Sequence, residues 1–140
     1  FALKTLKEIK NENRKIAVFG DMLELRKHTI DAHKRVGKIA KEYSDILVVV
    51  GSRAQAIKEG AIETDIATGM AGMDEKNIFE FLDSSQAGEF LKTFVQKGDL
   101  VLVKGSQGIR MERAVEAILL DKENKNKLLV RQDEEWLKKK

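Results

Sequence analysis

Ile46-Leu47-Val48-Val49-Val50-Gly51 is the stretch that decides the fold. Five apolar residues follow one another without alternation, and all but Leu47 are β-branched. A strand with one wet face alternates apolar and polar side chains. A continuous run means cover on both faces, as in a parallel sheet between helices. The run is far too short to span a bilayer, and it is the longest apolar run in the chain. The same pattern recurs on either side. Lys15-Ile16-Ala17-Val18-Phe19 ends in Gly20, and Leu100-Val101-Leu102-Val103-Lys104 ends in Gly105. The last of these also predicts cover on both faces. Ile78 to Leu82 and Leu128 to Arg131 are weaker strand candidates.

Helix-period segments fill the intervals. His28 to Tyr43 sets His33, Val36, Ile39, Ala40 and Tyr43 along one face. Ala87, Phe90, Leu91, Phe94 and Val95 repeat the spacing, with Asp83 as N-cap and Gln86 as its capping-box partner. Lys97-Gly98-Asp99 closes that segment. Met111, Ala114, Val115, Ile118 and Leu119 form a third stripe, and Ser52 to Gly72 reads as one or two short helices interrupted at Gly60. Strand and helix in alternation predict an α/β fold, a Rossmann-like and mostly parallel sheet with helices on both faces. One domain over residues 1–140 is expected, with no linker or internal repeat.

Apolar residues make up 42 % of the 140 and charged residues 35 %, a globular rather than a disordered composition. The absence of cysteine excludes disulfides, thiolate catalysis and Cys-ligated metals. The chain opens on Phe1 with Leu3, Leu6 and Ile9 already at helical spacing, and no signal-peptide pattern precedes them; it reads as a piece of a longer protein. The net charge of +3 is carried largely by the last twenty residues, so the body offers no basic stripe for nucleic acid.

In parallel α/β sheets ligands bind beyond the carboxyl ends of the strands. Gly20-Asp21, Gly51-Ser52-Arg53 and Gly105-Ser106-Gln107-Gly108 would share that rim. Tight strand-to-helix turns also need glycine without any ligand, so both readings stand. No G-x-x-x-x-G-K-[ST], G-x-G-x-x-G or G-x-S-x-G occurs. Asp21 is placed to accept from ribose hydroxyls or to cap the following turn. Lys104 is an ammonium ending a strand that otherwise reads as buried, and a partner group or an anionic ligand would account for it. Arg110 and Arg113 flank a helix start, where they face an anion or pair with Glu112 and Glu116. His33, on an apolar helix face, reads as a satisfied core histidine, and Met22 and Leu23 as packing under the loop.

Residues 15–25 (KIAVFGDMLEL), His33, Val36-Gly37, Val48 to Gly51, Val101 to Ser106 and Gly108 to Arg113 resemble the C-terminal domain of the Mur ligases. Arg26 and Gln107 depart from it, standing where a glycine and an arginine are usual. The resemblance implies a three-domain cytoplasmic enzyme of peptidoglycan synthesis. It implies that ATP and Mg²⁺ activate the carboxylate of UDP-N-acetylmuramoyl-tripeptide as an acyl phosphate, which the amine of D-alanyl-D-alanine attacks. The family's phosphate loop and metal ligands belong to a central domain outside this chain. The partners implied are therefore the enzyme's own N-terminal and central domains and the two substrates, with no nucleic acid and no membrane. No residue here is implied to be catalytic or to ligate metal. Asp21 is implied to face the ATP ribose. Lys104, Gly105 and Ser106 are implied to lie beside the dipeptide and the acyl-phosphate end, and Arg110 is our candidate for the dipeptide carboxylate. The fragment is expected to be inactive alone. The competing readings are a free-standing α/β module that binds a nucleotide or a protein, and an interaction domain whose basic tail meets a polyanion.

Overall fold

The computed structural model describes residues 2–10, 12–23 and 29–119. In chain order the elements are α1 (Ala2–Glu8), β1 (Lys15–Gly20), α2 (Thr29–Tyr43), β2 (Ile46–Val50), α3 (Gln55–Ile62), β3 (Ile78–Phe81), α4 (Ser84–Phe94), β4 (Leu100–Lys104) and α5 (Glu112–Ile118). Short 3₁₀ turns at Glu75–Asn77 and Gln107–Ile109 precede β3 and α5. The strand candidate at 128–131, Arg26, the start of the chain at Phe1 and the helix start at His28 lie outside the described residues.

Among the described residues four strands pair in the order β3-β2-β1-β4, all parallel. Alternate residues feed two cores. Ala17, Phe19, Leu47 and Val49 pack under α1, α2 and α3 with Leu3, Leu6, Ala40, Ile57 and Ala61. Ile16, Val18, Val48 and Val50 pack under α4 and α5 with Ala87, Leu91, Met111 and Ala114. Central strands need apolar side chains in both directions, which is what the continuous runs supply. The Rossmann-like α/β architecture expected from the sequence is the one observed.

Cover is complete for β2, all five residues of which are buried, but not for Leu100–Lys104. Among the described residues β4 is the outer strand beside β1, its first four residues half-buried and Lys104 exposed. An apolar run does not distinguish a central strand from an outer one whose faces are partly roofed.

The reading of Gly60 is also corrected. α3 runs through it to Ile62 without a break. α2 and α3 cross with their backbones in contact, and glycine stands on both sides of the crossing. A Cβ on Gly60 would lie 2.0 Å from the Lys34 carbonyl oxygen, and one on Gly37 1.9 Å from that of Ile57. Around the crossing, Lys34 pairs with Glu59 at 3.1 Å and Lys38 with Glu63 at 3.1 Å. The Asp83 cap is present, its carboxylate accepting from Gln86 N–H at 2.8 Å. Gln86 Oε1 reaches back to the N–H of Leu82, at 3.2 Å, so the box closes one residue earlier than expected.

At the amino end of the sheet Arg14 clamps β1 to the start of β4. Its Nη2 donates to Asp99 Oδ2 at 2.6 Å and to the Phe94 carbonyl at 2.8 Å. Its Nε donates to Asp99 Oδ1 at 3.1 Å, and the guanidinium lies 4.6 Å from the centre of the Phe94 ring. Arg14 and the Gln96 N–H hold the Asp99 carboxyl below its ordinary pKa, against the opposing effect of burial.

Candidate functional site at the carboxyl rim

Because the strands are parallel, the turns after β1, β2 and β4 leave the sheet on one edge. The ladder continues past the strand ends and ties these turns together. Asp21 N–H donates to the Val50 carbonyl at 3.1 Å, Gly51 N–H to that of Phe81 at 2.9 Å, and Ser106 N–H to that of Asp21 at 3.0 Å. The chain leaves β1 toward β2 on one side, while β4 lies on the other, so Asp21 and Ser106 face each other across the topological switch point. The common rim expected from the glycine turns is present.

Its glycines serve packing. Gly20 and Gly105 sit back to back under Met111: a Cβ on Gly105 would meet Met111 Cγ at 2.7 Å and Gly20 Cα at 3.1 Å. Gly51 has φ +102°, which disfavours any side chain, and a Cβ there would lie 2.7 Å from the Asp21 carboxylate.

Asp21 is 4 % exposed. Its Oδ1 accepts from Ala54 N–H at 2.5 Å, the residue that precedes α3. The carboxylate thus caps a helix 33 positions along the chain instead of its own turn, and its charge suits that helix's N-terminus. Oδ2 accepts no hydrogen bond among the described residues.

Ser106 is buried at 7 % exposure. Its Oγ accepts from the N–H of Leu23 at 2.7 Å. Leu23 itself is 40 % exposed, so the expectation that it packs under the loop is not met. Its side chain lies beside Gly108, where a Cβ would come within 3.0 Å of it. His33 is fully buried, and both ring nitrogens are engaged. Nε2 accepts from Met22 N–H at 3.1 Å, and Nδ1 lies 2.5 Å from the Thr29 carbonyl. A carbonyl can only accept, so Nδ1 carries the proton and Nε2 the lone pair. The satisfied core histidine expected from the helical period is what the fold contains.

Arg110 is 5 % exposed and has left-handed backbone, φ 57° and ψ 44°, the one non-glycine residue with positive φ among those described. Its Nε donates to Glu112 Oε1; the Arg110 side chain is buried and that of Glu112 is only 10 % exposed. The alternative of pairing with Glu112 is therefore realised, in the interior instead of at the surface. Lys104 alone of the predicted site residues is exposed, and among the described residues it makes no hydrogen bond or ion pair. Its register partner is Phe19, which puts it at the end of the β1–β4 ladder beside the switch point. A hollow of about 290 Å³ continues the rim over the ends of β2 and β3, between Gly51, Ser52 and Gln55 on one side and Glu80, Phe81 and Leu82 on the other. Sequence reasoning placed Gly51 and Ser52 on this rim and missed the β3 side, because Leu82, 79 % exposed, carries no local mark of a site. Among the described residues no group of three or more His, Cys, Asp or Glu side chains could hold a metal ion, and no helix is long and apolar enough to cross a membrane.

Comparison with known proteins agrees with this architecture. A MurF ligase from Thermotoga maritima, solved with ADP, superposes on 91 % of the chain with TM-score 0.61 at 24 % identity, a likeness of fold covering 26 % of that protein. MurF from Acinetobacter baumannii gives TM-score 0.63 at 25 % identity, over 84 % of this chain and 24 % of its own. In sequence, the UDP-N-acetylmuramoyl-tripeptide–D-alanyl-D-alanine ligase of Mycobacterium tuberculosis strain H37Rv is 32 % identical over 116 residues, which is 77 % of this chain and 22 % of the relative. The UDP-N-acetylmuramoyl-L-alanyl-D-glutamate–2,6-diaminopimelate ligase of Cytophaga hutchinsonii is 30 % identical over 105 residues, 74 % of this chain and 21 % of the relative. The chain thus spans about a fifth of the length of the relatives it matches. Residues 1–107 match the family described as Mur ligase, glutamate ligase domain. With the parallel sheet, the glycine rim and this match in agreement, the chain belongs to the Mur ligases, as their C-terminal domain.

Proposed function

We propose that the chain is the C-terminal lobe of an ATP-dependent ligase that adds D-alanyl-D-alanine to UDP-N-acetylmuramoyl-tripeptide in the cytoplasm, acting with N-terminal and central domains of its own polypeptide. The observation that carries the reading is the switch point itself. It sets a buried carboxylate with an open oxygen, Asp21, and an exposed ammonium, Lys104, on either side of one crevice edge.

Asp21 Oδ2 is an acceptor suited to a ribose hydroxyl of ATP, while Oδ1 stays on the Ala54 amide. Lys104 supplies a mobile cation for the carboxylate of the dipeptide or for the acyl-phosphate end of the acceptor. ATP supplies the phosphoryl group that makes the peptide carboxylate a good electrophile. The reading assigns its phosphates, and Mg²⁺, to the central domain. Gly105 and Ser106 shape the rim, and the Arg110 guanidinium adds a second cation behind it. Water must be kept from an activated carboxylate, so the lobe contributes by closing over it.

The M. tuberculosis relative favours the dipeptide, and the C. hutchinsonii relative makes diaminopimelate the competing nucleophile. The test is phosphate release by the full-length polypeptide with ATP and Mg²⁺. Release that requires UDP-N-acetylmuramoyl-tripeptide together with D-alanyl-D-alanine is expected. Release only with UDP-N-acetylmuramoyl-L-alanyl-D-glutamate and diaminopimelate would transfer the domain to the other branch. Tight nucleotide binding by residues 1–140 alone, with no ligation by the parent, would favour a free-standing module.

A further inference from the structure

We propose that His33 is a positioning residue that sets the Asp21 side of the rim through the Met22 amide. The backbone N–H groups of three successive residues after β1 have separate acceptors. Asp21 donates to the Val50 carbonyl, Met22 to His33 Nε2 and Leu23 to Ser106 Oγ. Only the first is a continuation of the sheet. The other two are side-chain acceptors from distant elements, α2 and the turn after β4, and they fix a segment that has no ladder of its own. The imidazole does more than cap one amide. Its second nitrogen bonds the Thr29 carbonyl, so a single fully buried ring joins residue 22 to residue 29. The chain therefore leaves β1 and enters α2 at points fixed by one side chain. Asp21 lies one residue before the clamped amide, and its own carbonyl is held by Ser106 N–H. Removing the Nε2 acceptor frees one peptide plane next to the carboxylate that caps α3 and presents Oδ2.

The two nitrogens can be separated by substitution. A glutamine at 33 carries an amide oxygen about as far from the backbone as Nε2, and an asparagine carries its amide about as far out as Nδ1. His33→Gln thus retains an acceptor for Met22, whereas His33→Asn retains only a donor for Thr29. Both leave space unfilled, so a role of filling the core alone predicts a lower melting temperature in each with Met22 equally protected.

The kinetic half of the test rests on the ligase reading and uses the full-length enzyme. His33→Asn is expected to raise the KM for ATP about tenfold with kcat reduced less than threefold, and His33→Gln to stay within about twofold of the parent in both. Equal KM values in the two variants would overturn the proposal. The structural half is amide hydrogen exchange at Met22 in the same protein, which needs no activity. Exchange at least tenfold faster in His33→Asn than in His33→Gln is expected, and equal rates would overturn the proposal whatever the reaction. A parent enzyme that ligates neither substrate pair would end the ligase reading and leave the exchange result to decide this one.

Discussion

Replacing Gly37 by alanine tests the packing on which the rim stands. Two effects oppose each other. Alanine in the middle of α2 gains up to about 1 kcal/mol of helix propensity over glycine. Against it, the new Cβ would sit 1.9 Å from the Ile57 carbonyl oxygen, 2.8 Å from Ala61 N and 2.9 Å from Ile57 C. All three are backbone atoms of α3 and cannot rotate away. Restoring an ordinary carbon–oxygen separation of about 3.5 Å requires the helices to part by roughly 1.5 Å. A gap of that size removes most of the dispersion attraction across the crossing, where Val36, Ala40, Ile57 and Ala61 meet. Overpacking commonly costs about 1–3 kcal/mol, and rigid backbone on the receiving side places this site at the upper end. The net expectation is a loss of about 2 kcal/mol. Urea denaturation followed by far-UV circular dichroism reads it as a lower midpoint at unchanged slope. Gly69→Ala is the control, since Gly69 has φ +72° with nothing within 4 Å and pays only for left-handed backbone, about 1 kcal/mol. Gly60→Ala strikes the same crossing from the other side, so the double variant should lose less than the sum of the singles. A Gly37→Ala chain as stable as the parent would mean that propensity outweighs the crossing and that the two backbones are not in contact.

Further expectations follow from the clamp and from the site. Asp99→Asn should cost about 1–2 kcal/mol at neutral pH, because it takes the charged partner from a half-buried Arg14. The Asp99 carboxyl titrates below the usual value of about 3.9, so its contribution is full above that pH and disappears as the pH falls through the lower folded value. Unfolding midpoints measured down the acid limb should therefore fall less steeply in the variant, and parallel limbs would contradict the assignment. Arg110→Ala in the full-length enzyme should raise the KM for D-alanyl-D-alanine more than that for ATP, and an unchanged dipeptide KM would remove Arg110 from the site. Residues 1–140 alone should give no measurable heat with ATP and Mg²⁺ in calorimetry, and micromolar binding would contradict the division of labour between lobes.

What the sequence disclosed, and what it withheld, follows from the range of the interactions. Ile46 to Val50 and Lys15 to Phe19 were legible as strands because a two-sided environment writes itself into consecutive residues. Asp83 was legible as a cap because its partner is three residues away. Gly60 was misread because glycine in isolation disfavours a helix, whereas at a crossing it is the residue that lets a second backbone approach. The partner, the Lys34 carbonyl, is 26 positions earlier and leaves no local trace. Asp21 followed the same logic. It could be placed after a strand and a glycine, and its two local roles could be named, but the amide it caps belongs to Ala54. His33 could be assigned to a buried face from its period, while Met22, eleven positions earlier, could not be identified as its donor. Nothing near Arg110 announces its left-handed backbone.

The residues brought to the rim divide by what they touch, and Lys104 separates the two classes experimentally. Asp21, Ser106 and Arg110 are buried and bonded to other parts of the same rim, so their geometry is fixed at folding and little ordering remains for binding. A substitution at any of them must disturb stability and ligand affinity together. Lys104 is exposed, so nothing in the folded chain should miss its ammonium. Lys104→Ala is then expected to move the urea midpoint by no more than about 0.5 kcal/mol equivalent, the usual range for a surface change. In the full-length ligase the same substitution should lower kcat/KM for the dipeptide about tenfold or more, because a charge-assisted contact to a carboxylate or phosphoryl oxygen contributes about 1.5–3 kcal/mol. Ser106→Ala should show the opposite balance. The Leu23 amide loses its acceptor, which costs about 1 kcal/mol of stability, and the kinetic loss follows only through the altered turn. If Lys104→Ala destabilises the chain while leaving kcat/KM untouched, Lys104 is a surface residue of the fold and contributes no cation to catalysis.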